Sequence, residues 1–285
     1  MTNRIAIITD STCDIPQDLR EKYEITLIPL TIIFGEEQLL DGVDISAQAF
    51  YSRLIADQSV HPSTSQPTPA FVRNIYEKVH KTGAEEIVCI LISAKMSGTL
   101  ASAQIAAEDF PIPVHIHDSR NNSMGLGFQV LAAARAREAG GGAQEMLAAA
   151  ETVRDKMVYH ILLDTISYLK RGGRIGDAVA LVDSVLSVKP VVTVKPDTGT
   201  VGMGLPARSR KTGKKHLFKN FFRKLDTSKP MHITVLHNNI PDEAEEMAAM
   251  VREAYDPVEL HVQIVSPILG VHTGPGAIAL CGYSE

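Results

Sequence analysis

Strands that alternate with helices constrain the first half of this chain more than any other feature. Ile5–Thr9 is a continuous apolar run, as expected for a strand that is buried on both faces of a parallel sheet. Glu86–Ser93 and Val114–His117 are predicted as further strands, with a helix at Thr99–Asp109 between them. This alternation predicts an α/β layered domain with mostly parallel strands.

Another strand and another helix are predicted between Thr9 and Glu86. Thr26–Phe34 is expected to form one strand, followed by a loop rich in glycine and aspartate. Thr68 and Pro69 suit the N-cap and the first position of a helix whose apolar side chains share one face. Gly83 is expected to end that helix.

The second half of the chain is organised differently. Val191–Val194 and Thr200–Leu205 flank a Pro-Asp-Thr-Gly turn, and they are predicted to form an antiparallel hairpin. Further strands are predicted at His232–His237, Glu259–Val265 and Ala277–Cys281, with a helix at Pro241–Tyr255.

Two alanine-rich helices precede this change in organisation. The first is predicted at Gly127–Ala139, and the second ends near Met157. A length of 285 residues suits about two domains. We therefore predict two α/β domains, residues 1–150 and 151–285. The first has a mostly parallel layered sheet, and the second is smaller with a mixed sheet.

Composition excludes several classes of protein. The three cysteines are far apart in the sequence, which favours neither a disulfide framework nor a zinc site. A net charge of −5 provides no general attraction to nucleic acid or to an anionic membrane. No apolar run approaches the ~18 residues that span a bilayer, and a strand beginning near Arg4 leaves no room for a signal peptide. We expect a cytoplasmic protein without a metal or another cofactor.

Aspartates follow two of the predicted strands. Asp10 comes after the first strand and Asp118 after a later one, at the ends where ligands of open α/β sheets gather. A phosphatase-like magnesium site would need a second carboxylate two residues after Asp10, where the chain has Thr12. Roles in turns and helix caps are therefore the preferred interpretation of both aspartates.

Hydroxyl side chains precede two helices. Ser63–Gln66 lies before the helix that starts at Thr68, and Ser97 and Thr99 lie at the start of another. Free N–H groups and hydroxyls at a helix N-terminus can bind an anion. Simple N-capping explains the same residues, so these segments alone leave both interpretations open.

Glycine-rich segments in the second half add polar and basic side chains. His272–Gly276 combines a histidine with glycines that allow close approach of a ligand, although a tight turn would use the same residues. Lys170 and Arg171 suit the C-terminus of a helix, whereas Arg174 follows the glycines and is less easily explained by capping. An acyl hydrolase or transferase could use Ser97 and His272. The sequence contains no Gly-x-Ser-x-Gly elbow, which argues against that interpretation.

The segment Arg208–Lys224 carries eight basic residues and no acidic residue. Its leucines and phenylalanines share one helical face, so the segment is amphipathic. It could contact nucleic acid, a membrane surface or an acidic partner, or form a helix packed by its phenylalanines with solvated lysines outside. The acidic net charge argues against nucleic acid.

Taken together, these segments resemble the DegV family of fatty-acid-binding proteins, which includes the acyl carriers of bacterial fatty acid kinase. The matching stretches are Ile8–Asp14, Thr64–Pro67, Ser97–Thr99, Asp118–Ser119, Tyr168–Ile175, Arg208–Lys211 and His272–Gly276. They keep their order and spacing over nearly the whole chain. The resemblance implies two α/β domains, an acyl chain buried inside, and a carboxylate held near the domain junction.

The resemblance also assigns roles to individual residues. The residues implied to bind the fatty-acid carboxylate are Thr64, Ser65, Ser97, His272 and Thr273, with Arg171 as a supporting charge. The residues implied to dock a fatty acid kinase are Arg174, Arg208 and Arg210. The family has a smaller residue in place of Arg120, so this chain departs from the pattern there.

The function implied by the resemblance is that of a lipid-binding protein rather than an enzyme. It would bind one long-chain fatty acid and present the carboxylate to the kinase for acyl-phosphate formation, with no nucleic acid partner and at most transient contact with a membrane surface. The alternatives are a lipid carrier or sensor that serves another enzyme, and a Ser/His acyl hydrolase or transferase.

Overall fold

A computed structural model describes residues 4–57, 59–181 and 188–285 of the chain. Its strands, in chain order, are β1 Ile5–Asp10, β2 Ile25–Ile28, β3 Thr31–Phe34, β4 Glu37–Leu40, β5 Ser63–Ser65, β6 Glu86–Leu91, β7 Val114–Asp118, β8 Val158–Leu162, β9 Val191–Val194, β10 Val201–Met203, β11 Met231–His237, β12 Glu259–Ile264 and β13 Ile278–Ser284.

The helices, also in chain order, are α1 Gln17–Lys22, α2 Ala47–Ala56, α3 Pro69–Lys81, α4 Thr99–Ala107, α5 Ser123–Glu138, α6 Ala143–Lys156, α7 Ser167–Arg171, α8 Arg210–Phe222, α9 Pro241–Ala254 and α10 Pro267–Thr273. Two short 3-10 helices lie at Ser11–Cys13 and Gly176–Leu181. No helix within the described ranges is long and apolar enough to cross a membrane.

The first sheet has the order β2-β1-β6-β7, and each neighbouring pair is parallel. Its central strands β1 and β6 are almost entirely buried, because helices cover both faces of a parallel sheet. Helix α3 begins as predicted, since the Thr68 hydroxyl accepts a hydrogen bond from the backbone N–H of Phe71 at 3.2 Å. The predicted mostly parallel sheet is confirmed.

The second sheet is mixed, with the order β10-β9-β8-β13-β11-β12. Strands β11 and β12 are parallel, whereas the other neighbouring pairs are antiparallel. The predicted hairpin is present, with Val201 opposite Val194. The prediction of a mixed sheet in the second half is confirmed.

The prediction of a single strand at Thr26–Phe34 was wrong. Strand β2 ends at Ile28 in the parallel sheet, and β3 begins at Thr31 in a separate sheet of order β4-β3-β5. Pro29 lies at the break, where it has no backbone N–H to continue the ladder. The loop expected after Phe34 contains strand β4.

Helices α5 and α6 lie between the two large sheets. They pack against each other, and both also contact β6 of the parallel sheet and β13 of the mixed sheet. A single hydrophobic core therefore includes Val88 of the first sheet, Phe128 of α5 and Ala279 of the second. The predicted division near residue 150 falls within α6, and it stays a prediction.

Helix α8 carries most of the basic segment, and its apolar side is packed. Leu217, Phe221 and Phe222 are buried in a core with β11 and α9. The interpretation of a packed helix is therefore confirmed for this side of the segment. All three cysteines are free and buried.

Candidate functional site

A cavity of about 250 Å³ lies where the parallel sheet, the small sheet and the mixed sheet meet. Most of its wall is aliphatic, and its apolar residues are Leu30, Ile92, Met96, Ile161, Leu169, Val192, Val194, Val201, Leu236, Val265, Ile268, Leu269, Ala277, Ile278 and Ala279, with Tyr159. Five of the six predicted carboxylate-binding residues line the same cavity, namely Thr64, Ser65, Ser97, His272 and Thr273.

Thr64 is held at the cavity by β5. This strand pairs with β3, which places Thr64 opposite Ile32. The Thr64 hydroxyl shares a hydrogen bond of 3.0 Å with Nε2 of His272. Ser65 also lines the cavity, but it is exposed and its hydroxyl donates to the carbonyl oxygen of Gln66 at 3.2 Å.

His272 lies in the last turn of α10, a helix that the sequence patterns did not predict. Burial, reinforced by the charge of Arg174, lowers the pKa of His272 to about 4, so the imidazole is neutral near pH 7. Nδ1 is inaccessible and has no hydrogen-bond partner among the described residues. Gly172 packs so closely on this nitrogen that a Cβ there would overlap it.

Ser97 lies between β6 and α4. Its hydroxyl shares a 2.8 Å hydrogen bond with the Thr99 hydroxyl and accepts one from the Thr99 backbone N–H at 3.3 Å. Gly98 is in close contact with Gln66, because a Cβ at Gly98 would overlap the Gln66 amide. The loop after β6 and the segment after β5 therefore meet directly at the cavity.

The Thr273 hydroxyl already has hydrogen-bond partners within the protein. Its hydroxyl donates to the carbonyl oxygen of Leu269 at 2.8 Å and accepts a hydrogen bond from Asn238 at 2.7 Å. Asn238 lines the cavity and is almost fully buried, yet no sequence pattern indicated it. It directly follows β11, so the rule that placed polar residues at strand ends could have identified it.

The four predicted arginines do not all line the same cavity. Arg174 lines the cavity and donates to the carbonyl oxygens of Met96 at 3.0 Å and Gly172 at 2.8 Å. Arg171 lies outside this cavity, in the wall of a smaller one beside it.

Arg208 is exposed and forms no ion pair with a described residue, in contrast to Arg210. Arg210 pairs with Glu243 at 2.9 Å and with Asp164 at 3.3 Å. Asp164 also lies beside Gly276, in the segment His272–Gly276. Arg210 therefore contacts, through Asp164, the segment that carries His272.

The aspartates at the strand ends have structural roles. Asp10 is buried and accepts hydrogen bonds from the backbone N–H groups of Thr12 at 3.0 Å and Ile92 at 2.7 Å. Asp118 accepts hydrogen bonds from the backbone of Arg120 and Ala94. Within the described ranges, no group of three or more acidic, histidine or cysteine side chains could hold a metal ion. The interpretation as turn and cap residues is confirmed.

Comparisons with known proteins agree with this architecture. A family model described as "Uncharacterised protein, DegV family" matches residues 4–285. A DegV domain-containing protein of Streptomyces coelicolor is 35% identical over 98% of this chain and 98% of its own length.

Two solved structures have nearly the same fold. A DegV family protein from Thermus thermophilus, described as fatty acid binding, is 31% identical with a TM-score of 0.92, and the match covers 99% of this chain and 100% of that one. A stearic acid-binding protein from Eubacterium ventriosum is 27% identical with a TM-score of 0.90, and the match covers 98% of both chains.

Proposed function

The chain belongs to the DegV family, and we propose that it binds one long-chain fatty acid and presents the carboxylate to a fatty acid kinase for conversion to an acyl phosphate. The observation that carries this proposal is a single cavity that joins a long aliphatic wall to Thr64, Ser97 and His272. Relatives described as fatty acid binding support the class of ligand.

The aliphatic wall suits the tail of the ligand. Burying one CH2 group is worth about 0.8 kcal/mol, so ~14 methylenes contribute roughly 11 kcal/mol before the costs of association. A hydrogen bond to a charged group contributes only about 1.5–3 kcal/mol, and desolvation of the carboxylate opposes it. The tail therefore sets most of the affinity, and the head-group residues set orientation.

The head-group residues suit an anion that must stay reactive. His272 is neutral near pH 7, so it offers an N–H donor without forming a salt bridge that would hold the carboxylate tightly. Thr64 faces His272, whereas the Ser65 hydroxyl is directed at its neighbour's carbonyl. We therefore assign the direct contact to Thr64, together with Ser97.

The same contacts support binding rather than catalysis by a Ser/His pair. The hydrogen-bond partner of His272 is Thr64, and the partner of Ser97 is Thr99. In a catalytic triad, an acidic group orients the histidine through Nδ1, but here Nδ1 has no described partner. Ser97 thus lacks an activating base in this arrangement.

We assign kinase docking to Arg174, Arg208 and Arg210, the residues that the family resemblance implies. Arg208 is exposed with its charge unpaired by any described residue, Arg210 follows two positions later in the chain, and Arg174 lines the cavity. Clustered surface charge chiefly accelerates encounter and fixes the register of two proteins. A partner is required because a free carboxylate is a poor acyl donor.

Mass spectrometry of the purified protein tests the binding proposal. Native spectra are expected to show one fatty acid per chain, which solvent extraction releases and identifies. A covalent acyl adduct on Ser97 would support the transferase instead. A delipidated protein that takes up no palmitate would refute the proposal. Binding without activity toward the cognate kinase would favour a carrier or sensor for another enzyme.

A further inference from the structure

A second cavity of about 240 Å³ adjoins the one that we assign to the fatty acid. Thr64, Arg174 and His272 line both cavities. The hydrogen-bonded Thr64–His272 pair therefore forms part of the wall between them. A group attached to a carboxylate held by this pair could extend into the second cavity, which also includes Ser63 in its wall.

The charges in the second cavity are positive and unbalanced. Arg171 and Arg174 both line it, and neither forms an ion pair with a described residue. None of the described residues that line it is acidic. Two guanidinium groups without counter-charges make a site for an anion, and guanidinium geometry matches phosphate oxygens.

Both guanidinium groups are held in place by partners that carry no negative charge. Arg171 donates from Nη1 to Nδ1 of His61 at 3.0 Å and lies 5.6 Å from the ring centre of Tyr168. Because His61 Nδ1 accepts this bond, the proton of a neutral His61 is on Nε2. Arg174 is fixed by the carbonyl oxygens of Met96 and Gly172. These contacts orient the cations without neutralising them.

We infer that this second cavity, which we call the phosphoryl chamber, binds the phosphoryl group of the acyl phosphate. The inference rests on the proposed function, and it adds a subsite for the product. A fatty acid fills the first cavity alone, with one negative charge at the Thr64–His272 wall. An acyl phosphate carries nearly two negative charges, both on the phosphoryl oxygens, for which Arg171 and Arg174 are the available partners.

The reaction balances without a proton or a redox partner. A carboxylate oxygen attacks the terminal phosphorus of a nucleoside triphosphate that the kinase holds. The new bond joins that oxygen to phosphorus, and the bond from phosphorus to the bridging oxygen of the nucleoside diphosphate breaks. The leaving diphosphate keeps the electron pair. Charge on the transferred group is spread over three oxygens during transfer, and fixed cations stabilise it there.

A pair of ligands with the same tail tests the phosphoryl chamber. The first is palmitate. The second is 2-oxoheptadecylphosphonate, in which a methylene replaces the bridging oxygen of palmitoyl phosphate. Both are titrated into delipidated wild-type protein, into Arg171→Gln and into Lys170→Gln. Lys170 is a matched control, because it is exposed, carries the same charge and does not line the cavity.

We expect Arg171→Gln to weaken binding of the phosphonate about tenfold more than binding of palmitate, the scale of one lost hydrogen bond to a charged group. Lys170→Gln should leave the ratio of the two affinities unchanged. The 31P resonance of the bound phosphonate should also move in Arg171→Gln only. An equal loss for both ligands, or an unmoved resonance, would overturn the phosphoryl chamber. Failure of the wild type to bind palmitate would instead overturn the proposed function.

Discussion

Thr64 and His272 are 208 residues apart in the sequence, and their side chains share a hydrogen bond of 3.0 Å. Thr64 belongs to a strand of the small sheet, and His272 belongs to the last turn of α10. The pair lies where two cavities meet, one aliphatic and one lined by arginines. This contact is therefore the place where the head group of a ligand would be oriented.

Removing either proposed head-group hydroxyl should weaken fatty-acid binding. We expect Thr64→Val and Ser97→Ala each to cost about 1–3 kcal/mol of binding free energy, the range for a hydrogen bond to a charged group. Calorimetric titration with palmitate measures the change. Thr152→Val on the exposed side of α6 is the control, because its hydroxyl only bonds the helix backbone. Unchanged affinity in both variants would place the head group elsewhere.

Gly172→Ala should displace His272. The backbone of Gly172 is ordinary, with φ −73, so the effect arises only from the new methyl group, which would overlap Nδ1 of His272. We expect a loss of about 1–3 kcal/mol in the free energy of unfolding, as for other overpacked positions. Palmitate affinity should fall as well.

A double-mutant cycle isolates this contact. In a His272→Ala background the ring is absent, so Gly172→Ala should then cost little in chemical denaturation. An equal cost of Gly172→Ala in both backgrounds would show that the methyl group meets something other than the ring.

Stability should fall as the pH rises from about 6.5 to about 8. Burial raises the pKa of Asp14 to about 7 and that of Asp41 to about 8, from an ordinary 3.8. The folded state then holds protons that the unfolded chain has released, so the free energy of unfolding decreases with pH in this window. Below pH 6.5 two histidines offset this trend. Burial lowers the pKa values of His272 and His160 to about 4, so the unfolded chain binds protons that the folded state does not, and their contribution to stability rises with pH.

Asp41→Asn should reduce this pH dependence. A neutral amide removes one titrating group, so the slope between pH 6.5 and 8 should decrease by up to ~1.4 kcal/mol per pH unit. Urea denaturation at several pH values measures the slope. Asp256→Asn serves as the control, since Asp256 is exposed. Identical slopes for Asp41→Asn and the wild type would contradict the raised pKa of Asp41.

Charge reversal at Arg208 should slow acyl-phosphate formation by the cognate kinase. Arg208 is exposed and has no described ion-pair partner, so Arg208→Glu should leave both stability and palmitate affinity intact. The loss of rate should be largest at low salt, because screening weakens attraction between surfaces. Lys215→Glu makes the same change on an exposed residue of α8 and tests whether position matters.

Arg210→Glu is expected to behave differently. It removes ion pairs to Glu243 and Asp164 and places like charges together, so it should lower stability as well as the kinase rate. Full kinase activity of Arg208→Glu would indicate that the basic segment is only a helix with a packed apolar side and solvated lysines outside, with no role in docking.

Local patterns predicted most of the large elements. The cap at Thr68 fixed the start of α3, and the apolar run from Ile5 identified a buried strand, because both depend on neighbouring residues alone. The break after Ile28 was missed, although Pro29 carries the signal. Strand β5 could not be predicted, since Ser63–Ser65 is polar and becomes a strand only by pairing with β3.

The candidate site was predictable by segment rather than by contact. Hydroxyls before helices, a histidine in a glycine-rich segment and the family resemblance selected Thr64, Ser97 and His272, which line one cavity. Spacing could not reveal that His272 meets Thr64, because that contact depends on how α10 packs beside the small sheet. For the same reason, the position of Arg171 in a separate cavity was not foreseen.

The wall of the main cavity includes residues from both large sheets. Ile92 follows β6 of the parallel sheet, and Val192 belongs to β9 of the mixed sheet. An acyl chain bound between them would fill an interior gap and so act as a structural component as well as cargo. Each delivery would then leave the carrier with a void between its layers until the next chain arrives. The free energy of this ligand-free state would set how readily the protein exchanges one fatty acid for another.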